Sequence, residues 1–289
     1  MHRFILPYYA LFFQWEALWR HLQKFKKSSK MKCMFRALGN FLILLTLIGM
    51  LAPPSIGLAL LYPFCPGLCY KISDYIVNVC SKRLFVIMHV YKKFRLSFSK
   101  ENFENLPDQF IVLSNHQSLL DIPIYMNFFR GRDVRFVAKD NLSKSWIPMV
   151  APMLKSHGHC FIPRRGGTSL VMRRIDSFAE RCLANKWNPV IFPEGTRSKD
   201  GQLSKFYSAG FRRIADSTKL PVAICVVDDG YKINDIFHVM ENMHNINYRV
   251  KLLKVCPPPA TKEDQVALLD QARSLMQEQL DKWRSGAEA

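Results

Sequence analysis

The chain has 289 residues, of which 49% are hydrophobic, enough apolar material for one sizeable domain with an extension. Lys and Arg number 41 against 23 Asp and Glu, which gives a formal net charge of +18. So large a charge implies an anionic partner: a membrane, a nucleic acid or a phosphorylated substrate. The eight cysteines include no Cys-x-x-Cys pair and no Cys/His set with zinc-site spacing. We therefore expect a reducing compartment, no disulfide framework and no metal.

The first apolar segment, Phe4 to Leu22, is rich in Phe, Tyr, Trp and Leu and has few charges. No small-residue cleavage site follows it, which argues against a signal peptide. Its aromatic content favours a helix lying at a membrane interface, and an ordinary buried helix is the alternative.

A second apolar segment contains no charged residue between Arg36 and Lys71 and is interrupted near its middle by Pro53-Pro54. Each half reaches only about 24 Å as a helix, less than the ~30 Å of hydrocarbon in a bilayer. Basic residues flank both ends, which favours a hairpin entering and leaving on the cytoplasmic side. A single kinked span and a soluble hairpin packed on the core are the alternatives. We expect residues 1–83 to form a membrane-associated helical module on an anionic membrane.

From about Leu84 onward, short apolar runs alternate with helical patterns, which predicts an α/β domain over residues 84–289, with a mostly parallel sheet flanked by helices. The candidate strands are Phe94–Phe98, Phe110–Leu113, Val134–Ala138, Cys160–Ile162, Val190–Phe192, Val222–Val227 and Tyr248–Val255. Apolar positions between Thr168 and Lys186 repeat at helical spacing. A last helix begins at a Thr261/Asp264 capping box. Its predicted buried face comprises Val266, Leu269, Met276, Leu280 and Trp283.

The motif Asn115-His116-Gln117-Ser118-Leu119-Leu120-Asp121 directly follows a predicted strand, where open α/β sheets place their sites. Ser118 and Asp121 have capping-box spacing, which predicts a helix start there and would let His116 in the turn meet Asp121. A carboxylate on one imidazole nitrogen leaves the other free to act as a base. Taken alone, the motif equally allows Asp121 as a helix cap and His116 as a loop residue.

A second motif, Phe192-Pro193-Glu194-Gly195-Thr196-Arg197-Ser198, follows another predicted strand. Gly195 allows close approach of the backbone to a ligand, and Arg197 offers a planar fork that matches phosphate. The alternative interpretation is a surface turn with an internal Glu194–Arg197 ion pair.

Together these motifs, in this order, resemble the glycerolipid acyltransferase family, and most closely its lysophosphatidic acid acyltransferases. Weaker blocks of the family fall in the expected order. They are Phe136-Val137-Ala138-Lys139, Gly158 to Arg164, and Leu220-Pro221-Val222-Ala223-Ile224. The last block lacks the second proline that the family more often has, and Pro163 stands where an acidic or polar residue is more usual.

The resemblance implies that His116 is the general base and that Asp121 orients it. It implies that Glu194, Gly195, Thr196 and Arg197 shape the acceptor site. It also implies that Lys139 and Arg164 add positive charge for the acceptor phosphate. No cofactor or metal is implied, since acyl-CoA or acyl-ACP brings the acyl group as a thioester substrate.

The function that we expect is acyl transfer to the free sn-2 hydroxyl of lysophosphatidic acid, at a membrane, with the active site on the cytoplasmic face. Glycerol-3-phosphate or another lysophospholipid is the alternative acceptor. A basic membrane-surface or nucleic-acid-binding protein without catalysis is the alternative class. No groove-entering helix motif or aromatic-basic sheet motif is apparent, so we expect no nucleic-acid partner.

Overall fold

The computed structural model describes residues 29–62, 64–139, 150–163, 167–234 and 242–288. The chain divides into two compact units, Met1–Ile48 and Gly49–Ala289. The interfacial helix predicted between Phe4 and Leu22 lies outside the described residues, as does Arg164. The predicted division between residues 83 and 84 stays a prediction.

The apolar segment forms one continuous helix, α1 (Ser29–Leu61), which contains both Pro53 and Pro54. The favoured hairpin, with one helix on each side of the prolines, is therefore wrong, and the continuous helix agrees with the alternative of a single segment. Proline is tolerated within apolar helices, where neighbouring groups and local adjustments compensate for the missing N–H. Residues Ala37–Leu61 have a mean hydropathy of 2.1, and at ~1.5 Å per residue they reach about 37 Å, long enough to cross a bilayer.

A second helical segment follows α1 and packs against its C-terminal part. It comprises α2 (Pro66–Tyr75), a π-helical turn at Ile76–Cys80 and α3 (Ser81–Lys92). A small apolar cluster joins α1 to this segment through Leu58, Cys69, Ile76 and Cys80. The chain thus changes direction after α1 rather than at the two prolines.

All the predicted strands are present, as a seven-stranded sheet in the order β1-β7-β6-β2-β5-β3-β4. The strands are β1 (Arg95–Ser99), β2 (Ile111–Ser114), β3 (Val134–Lys139), β4 (Cys160–Ile162), β5 (Asn188–Ile191), β6 (Val222–Asp228) and β7 (Asn247–Cys256). Only the β6–β7 pairing is antiparallel, so β1 and β7 run against the other five. The predicted α/β fold with a mostly parallel sheet is confirmed.

Helices cover both faces of the sheet. They are α4 (Asp121–Phe128), α5 (Val150–Ser156), α6 (Gly167–Ala184), α7 (Ser208–Thr218) and α8 (Lys262–Ser285). In β2, Val112 faces a cluster that includes α4, whereas Ile111 and Leu113 face a cluster that includes α6, α7 and α8. Burial on both faces explains why this strand is a continuous apolar run.

The predicted capping box of α8 is confirmed, because Asp264 N donates to Thr261 Oγ1 (3.0 Å) and Thr261 N donates to Asp264 Oδ2 (2.9 Å). One member of its predicted buried face is wrong: Val266 is 44% exposed. Gln265 is buried in its place and donates to Asp216 (2.6 Å). One residue of offset rotates a side chain by about 100° around the helix, which moves Val266 off the face that Leu269 and Met276 share.

Two buried histidines lie between α5 and β4. Burial, followed by the positive charge of Arg135, lowers the pKa of His157 to about 3. Burial and the neighbouring His157 and Arg135 lower the pKa of His159 well below its usual 6.5. The Phe136 backbone N–H donates to His159 Nδ1 (2.9 Å), so the neutral ring carries its proton on Nε2. Both rings are therefore neutral in the folded protein near neutral pH.

These depressed pKa values predict a loss of stability in mild acid. The unfolded chain binds a proton at each of these histidines below about pH 6.5, whereas His157 in the folded chain resists protonation until about pH 3 and the pKa of folded His159 also lies well below 6.5. We expect the free energy of unfolding to fall with decreasing pH, by up to ~1.4 kcal/mol per pH unit for each histidine. His157→Asn should make the free energy of unfolding depend less steeply on pH between pH 6.5 and 5, as measured by denaturant unfolding in detergent. An unchanged pH dependence would contradict the conclusion that burial depresses the pKa of His157. His244→Asn, at an exposed position, serves as the control.

Candidate active site

The two motifs meet at one edge of the sheet because their strands are neighbours. Leu113 of β2 pairs with Ile191 of β5 in parallel, so both loops leave from the carboxyl ends of adjacent strands. The Ser198 N–H donates to the His116 carbonyl (2.8 Å), which joins one loop to the other. Gly195 has a φ of +64°, a backbone conformation that favours glycine in this turn.

His116 and Asp121 form a hydrogen-bonded pair, with Nδ1 2.6 Å from Oδ2. Asp121 is fully buried, whereas the His116 side chain is 18% exposed. Oδ2 also accepts from the backbone N–H groups of Gln117 (2.8 Å) and Ser118 (3.1 Å). Because an ionised carboxylate only accepts hydrogen bonds, the His116 proton lies on Nδ1 and the lone pair on Nε2 is free.

The capping box predicted at Ser118 does not form. Helix α4 begins at Asp121, and its N-cap is Leu120. The Ser118 hydroxyl donates instead to the Ile233 carbonyl (2.6 Å) and accepts from the Leu120 N–H (3.2 Å). The Asp121 carboxylate turns back toward the preceding loop, where it holds His116, so the interpretation of Asp121 as only a helix cap is also wrong.

An aromatic ring fixes the face of the His116 imidazole. Phe192 stacks on it with ring centroids 4.2 Å apart and an interplanar angle of 10°. The carboxylate at Nδ1 and the ring stack together restrict the rotation of the imidazole. Nε2 is thus held in a defined direction at the partly exposed side of the site.

Tyr248 completes the surroundings of Asp121, and the sequence analysis missed it. Its hydroxyl donates to Oδ1 of Asp121, the oxygen that His116 does not use. Tyr248 lies on β7 and is fully buried. A side chain at Gly230 would overlap the Tyr248 hydroxyl, so glycine is required there. A tyrosine in an apolar strand pattern gives no sequence signal for such a role.

The loop before His116 is anchored by Asn115, also without an assigned role in the sequence analysis. Its side-chain amide donates to the Val227 carbonyl (2.9 Å) and accepts from the Val227 N–H (2.8 Å), which attaches the end of β2 to β6. The Gln117 side chain accepts from the Tyr231 N–H (3.3 Å). These contacts hold the residues on both sides of His116.

Glu194 is buried and supports the backbone of both loops. Its carboxylate accepts from the His116 N–H and from the Ser204 N–H, each at 2.9 Å. Burial raises the pKa of this carboxyl, and the two backbone N–H groups oppose that shift. The alternative of an internal ion pair is not observed, because Arg197 donates to the Asn234 carbonyl instead.

The remaining predicted site residues lie in or near the same turn. Gly195 and Thr196 are exposed, and Arg197 is half-buried. Lys139 ends β3, and its side chain lies outside the described part of the structure, as does all of Arg164. Among the described residues, no cluster of His, Cys, Asp and Glu side chains could hold a metal ion. The substrate-binding roles of these residues stay predictions.

Comparison with known proteins shows what the central part of the chain resembles. A sequence model described as Acyltransferase matches residues 97–228, which include both motifs. These residues are similar to the acyltransferase family. The crystal structure of the 1-acyl-sn-glycerophosphate acyltransferase from Thermotoga maritima matches 87% of this chain and 97% of that one with a TM-score of 0.61. At 23% identity, this match shows a shared fold.

Curated relatives of the chain carry one recurring name. The chloroplastic 1-acyl-sn-glycerol-3-phosphate acyltransferase of Arabidopsis thaliana is 30% identical over 205 residues, 69% of this chain and 53% of that protein. The enzyme of that name from Helicobacter pylori is 32% identical over 123 residues, 43% of this chain and 50% of that protein. The chain thus spans about half the length of these relatives. Tyr248 lies beyond the residues that the family model matches.

The contact between Tyr248 and Asp121 yields a test of stability. We expect Tyr248→Phe to lower the free energy of unfolding by about 1–3 kcal/mol, because it leaves a buried carboxylate oxygen without this donor. Tyr125→Phe is the matched control, since Tyr125 is equally buried but contacts the Ser114 hydroxyl. Denaturant unfolding of both variants checks the difference. Equal losses would show that the Asp121 contact contributes nothing specific.

Proposed function

We propose that this protein is an O-acyltransferase that moves a fatty acyl group from acyl-CoA or acyl-ACP to the free sn-2 hydroxyl of lysophosphatidic acid, giving phosphatidic acid. The observation that carries this proposal is the His116–Asp121 pair, with its oriented and partly exposed imidazole, in a segment similar to the acyltransferase family. The names of the curated relatives support the choice of acceptor.

The geometry supports a mechanism by general base catalysis. His116 Nε2 removes the proton from the acceptor hydroxyl as its oxygen attacks the thioester carbonyl carbon. Asp121 stabilises the imidazolium that forms. When the tetrahedral intermediate collapses, the C–S bond breaks and the thiol leaves with the proton that His116 carried. The substrate hydroxyl is the nucleophile, so no acyl-enzyme is required.

Positive charge near the acceptor site supports a phosphorylated acceptor. Arg197 lies in the turn next to the catalytic loop, and its planar fork suits bidentate contact with phosphate. Lys139 and Arg164 complete the proposed phosphate-binding set. The excess of basic residues over the whole chain also favours anionic substrates and an anionic membrane surface.

We place the protein at a membrane, with the active site on the cytoplasmic face. The apolar helix Ala37–Leu61 supports membrane association by its length and composition. An acceptor that resides in the bilayer then reaches the site without leaving the membrane surface.

The first test is acyl transfer by the full chain purified in detergent, with labelled acyl-CoA and acyl-ACP. The acceptors are lysophosphatidic acid, glycerol-3-phosphate and lysophosphatidylcholine. We expect His116→Ala to lower kcat/KM by about 10²- to 10⁴-fold, as for the loss of a general base. His244→Ala, at an exposed loop position, is the control and should retain activity. Full activity of His116→Ala would refute its role, and transfer to glycerol-3-phosphate alone would replace the proposed acceptor.

The phosphate contact has its own test. We expect Arg197→Gln to raise KM for lysophosphatidic acid about 10- to 100-fold, the value of a hydrogen bond to a charged group. Its effect on a monoacylglycerol acceptor, which lacks the phosphate, should be much smaller. Steady-state kinetics with both acceptors give the comparison, and Arg173→Gln, on the exposed face of α6, is the matched control. An equal loss with both acceptors would mean that Arg197 supports the loop rather than the phosphate.

A further inference from the structure

The last turn of helix α8 contacts the carboxyl edge of the sheet beside the active site. Three loops leave that edge from neighbouring strands, because β2 lies between β5 and β6 in the sheet. The loop after β2 carries His116, the loop after β5 carries the second motif, and β6 ends at Asp228. Arg284, near the end of α8, reaches this edge and contacts Asp228. A residue far from both motifs in the sequence thus lies next to the loops that carry them.

Asp228 is a buried carboxylate with several donors. Its side chain is 1% exposed. The Arg284 guanidinium donates to both of its oxygens, from Nη2 to Oδ1 at 2.7 Å and from Nε to Oδ2 at 3.2 Å. Arg249 of β7 donates to Oδ2 at 3.3 Å. A buried charge is stable only when it is paired and hydrogen-bonded, so these contacts hold the Asp228 side chain in one place.

The Asp228 carboxylate also reaches the catalytic loop through Gln117. The Gln117 amide donates to Asp228 Oδ1 (3.4 Å), and its oxygen accepts from the Tyr231 N–H in the turn after β6 (3.3 Å). Gln117 is fully buried, and its backbone N–H donates to the Asp121 carboxylate (2.8 Å). The loop after β6 therefore holds the side chain of Gln117, while the backbone of Gln117 holds the carboxylate that orients His116.

The same guanidinium contacts the loop after β5. Arg284 Nη2 donates to the Gly201 carbonyl (2.8 Å). The Gly201 N–H donates to Ser198 Oγ (2.9 Å), and the Ser198 N–H donates to the His116 carbonyl (2.8 Å). Glycine is required at position 201, because a side chain there would overlap the Arg284 guanidinium. A second chain of contacts thus leads from Arg284 to the backbone of His116.

These contacts require the shape of arginine. A planar guanidinium can direct Nε and Nη2 at the two Asp228 oxygens and a further N–H at the Gly201 carbonyl, whereas a lysine ammonium has no such fork. The Arg284 group also lies 5.7 Å from the centre of the Tyr231 ring, and its side chain is only 27% exposed. The pair with Asp228 is therefore screened by solvent less than a surface ion pair. Arg284 lies beyond residues 97–228, which the acyltransferase model matches.

We propose that Arg284 is a positioning residue for acyl transfer, which joins the loops after β2, β5 and β6 and thereby fixes the place of the His116 imidazole. It acts through Asp228 and Gly201 and not on the substrate. Its role in the reaction rests on the function proposed above, whereas its effect on the loops does not. The alternative is an ion pair that stabilises the fold as a whole and has no influence on the reaction.

Steady-state kinetics of the full chain in detergent test the role in the reaction, with the donor and acceptor that the unmodified protein uses. We expect Arg284→Ala to lower kcat about 10- to 100-fold, because a misplacement of about 1 Å far from the chemistry can cost ~10²-fold. KM for the acceptor should change less than about threefold, since the proposed phosphate contact is Arg197. Arg284→Lys, which keeps the charge but not the fork, should fall between the two.

Arg273→Ala is the matched control for the kinetics. Arg273 lies on the same helix and is exposed, and its guanidinium donates to the Leu203 carbonyl at 3.5 Å without contacting Asp228. This variant should keep the kcat of the unmodified protein.

Hydrogen exchange followed by mass spectrometry tests the loops without reference to the reaction. We expect Arg284→Ala to accelerate amide exchange at least about tenfold in peptides that cover residues 115–120 and 196–204, which contain the N–H groups of Gln117 and Ser198. Peptides from α6 should exchange at an unchanged rate, because the loss is local. Arg273→Ala should leave exchange in the loops unchanged.

The combined outcomes separate positioning from general stabilisation. Faster exchange confined to the loops, together with a lower kcat, supports the proposal. Exchange that rises equally in α6, loops whose exchange does not change, or loops that loosen without a loss of kcat would each overturn it. An unmodified protein that transfers no acyl group to any acceptor would refute the proposed function instead, and exchange then decides whether Arg284 joins the loops. If circular dichroism shows that Arg284→Ala is unfolded, Arg284→Lys takes its place in both measurements.

Discussion

The carboxylate of Asp121 has no exposed surface, and a charge in such a place is stable only when hydrogen-bond donors replace the water that it has lost. Two backbone N–H groups of the catalytic loop, the His116 ring and the Tyr248 hydroxyl supply them. The same contacts that stabilise the charge fix the loop and the imidazole. Requirements of folding and of function are therefore met by one set of bonds, and Glu194 and Asn115 extend that set to β5 and β6.

Much of this arrangement could be predicted from the sequence. The buried strands are short apolar runs, so the sheet was predictable. The His116–Asp121 pair was predictable only because the two motifs together resemble a known family, since the first motif alone equally allowed a helix cap and a loop residue. Tyr248 and Asn115 were not, because their roles depend on contacts with residues more than a hundred positions away. Predictions from local sequence patterns were wrong at two places. The Ser118 capping box does not form, because the Ser118 hydroxyl donates to the Ile233 carbonyl instead. Pro53 and Pro54 do not end a helix but lie within one.

The two edges of the sheet differ in how their polar groups are satisfied. At the carboxyl edge, the buried carboxylates of Asp121 and Glu194 have donors from the surrounding protein. At the amino edge, buried nitrogens of Arg135 and His157 have no such partner among the described residues. Two polar regions of opposite character thus lie on one sheet, and β3 reaches from one to the other, with Arg135 near its start and Lys139 at its end.

The position of Tyr248 late in the chain has a consequence during synthesis on the ribosome. His116, Asp121 and Glu194 leave the exit tunnel well before β7, but β7 pairs with both β6 and β1 and brings the hydroxyl that completes the shell of Asp121. A nascent chain that ends before β7 therefore exposes the edges of β6 and β1 and holds an incompletely bonded carboxylate. The His116–Asp121 pair reaches its final geometry only after β7 has been translated, so a product truncated before β7 carries both sequence motifs without the structure that orients them.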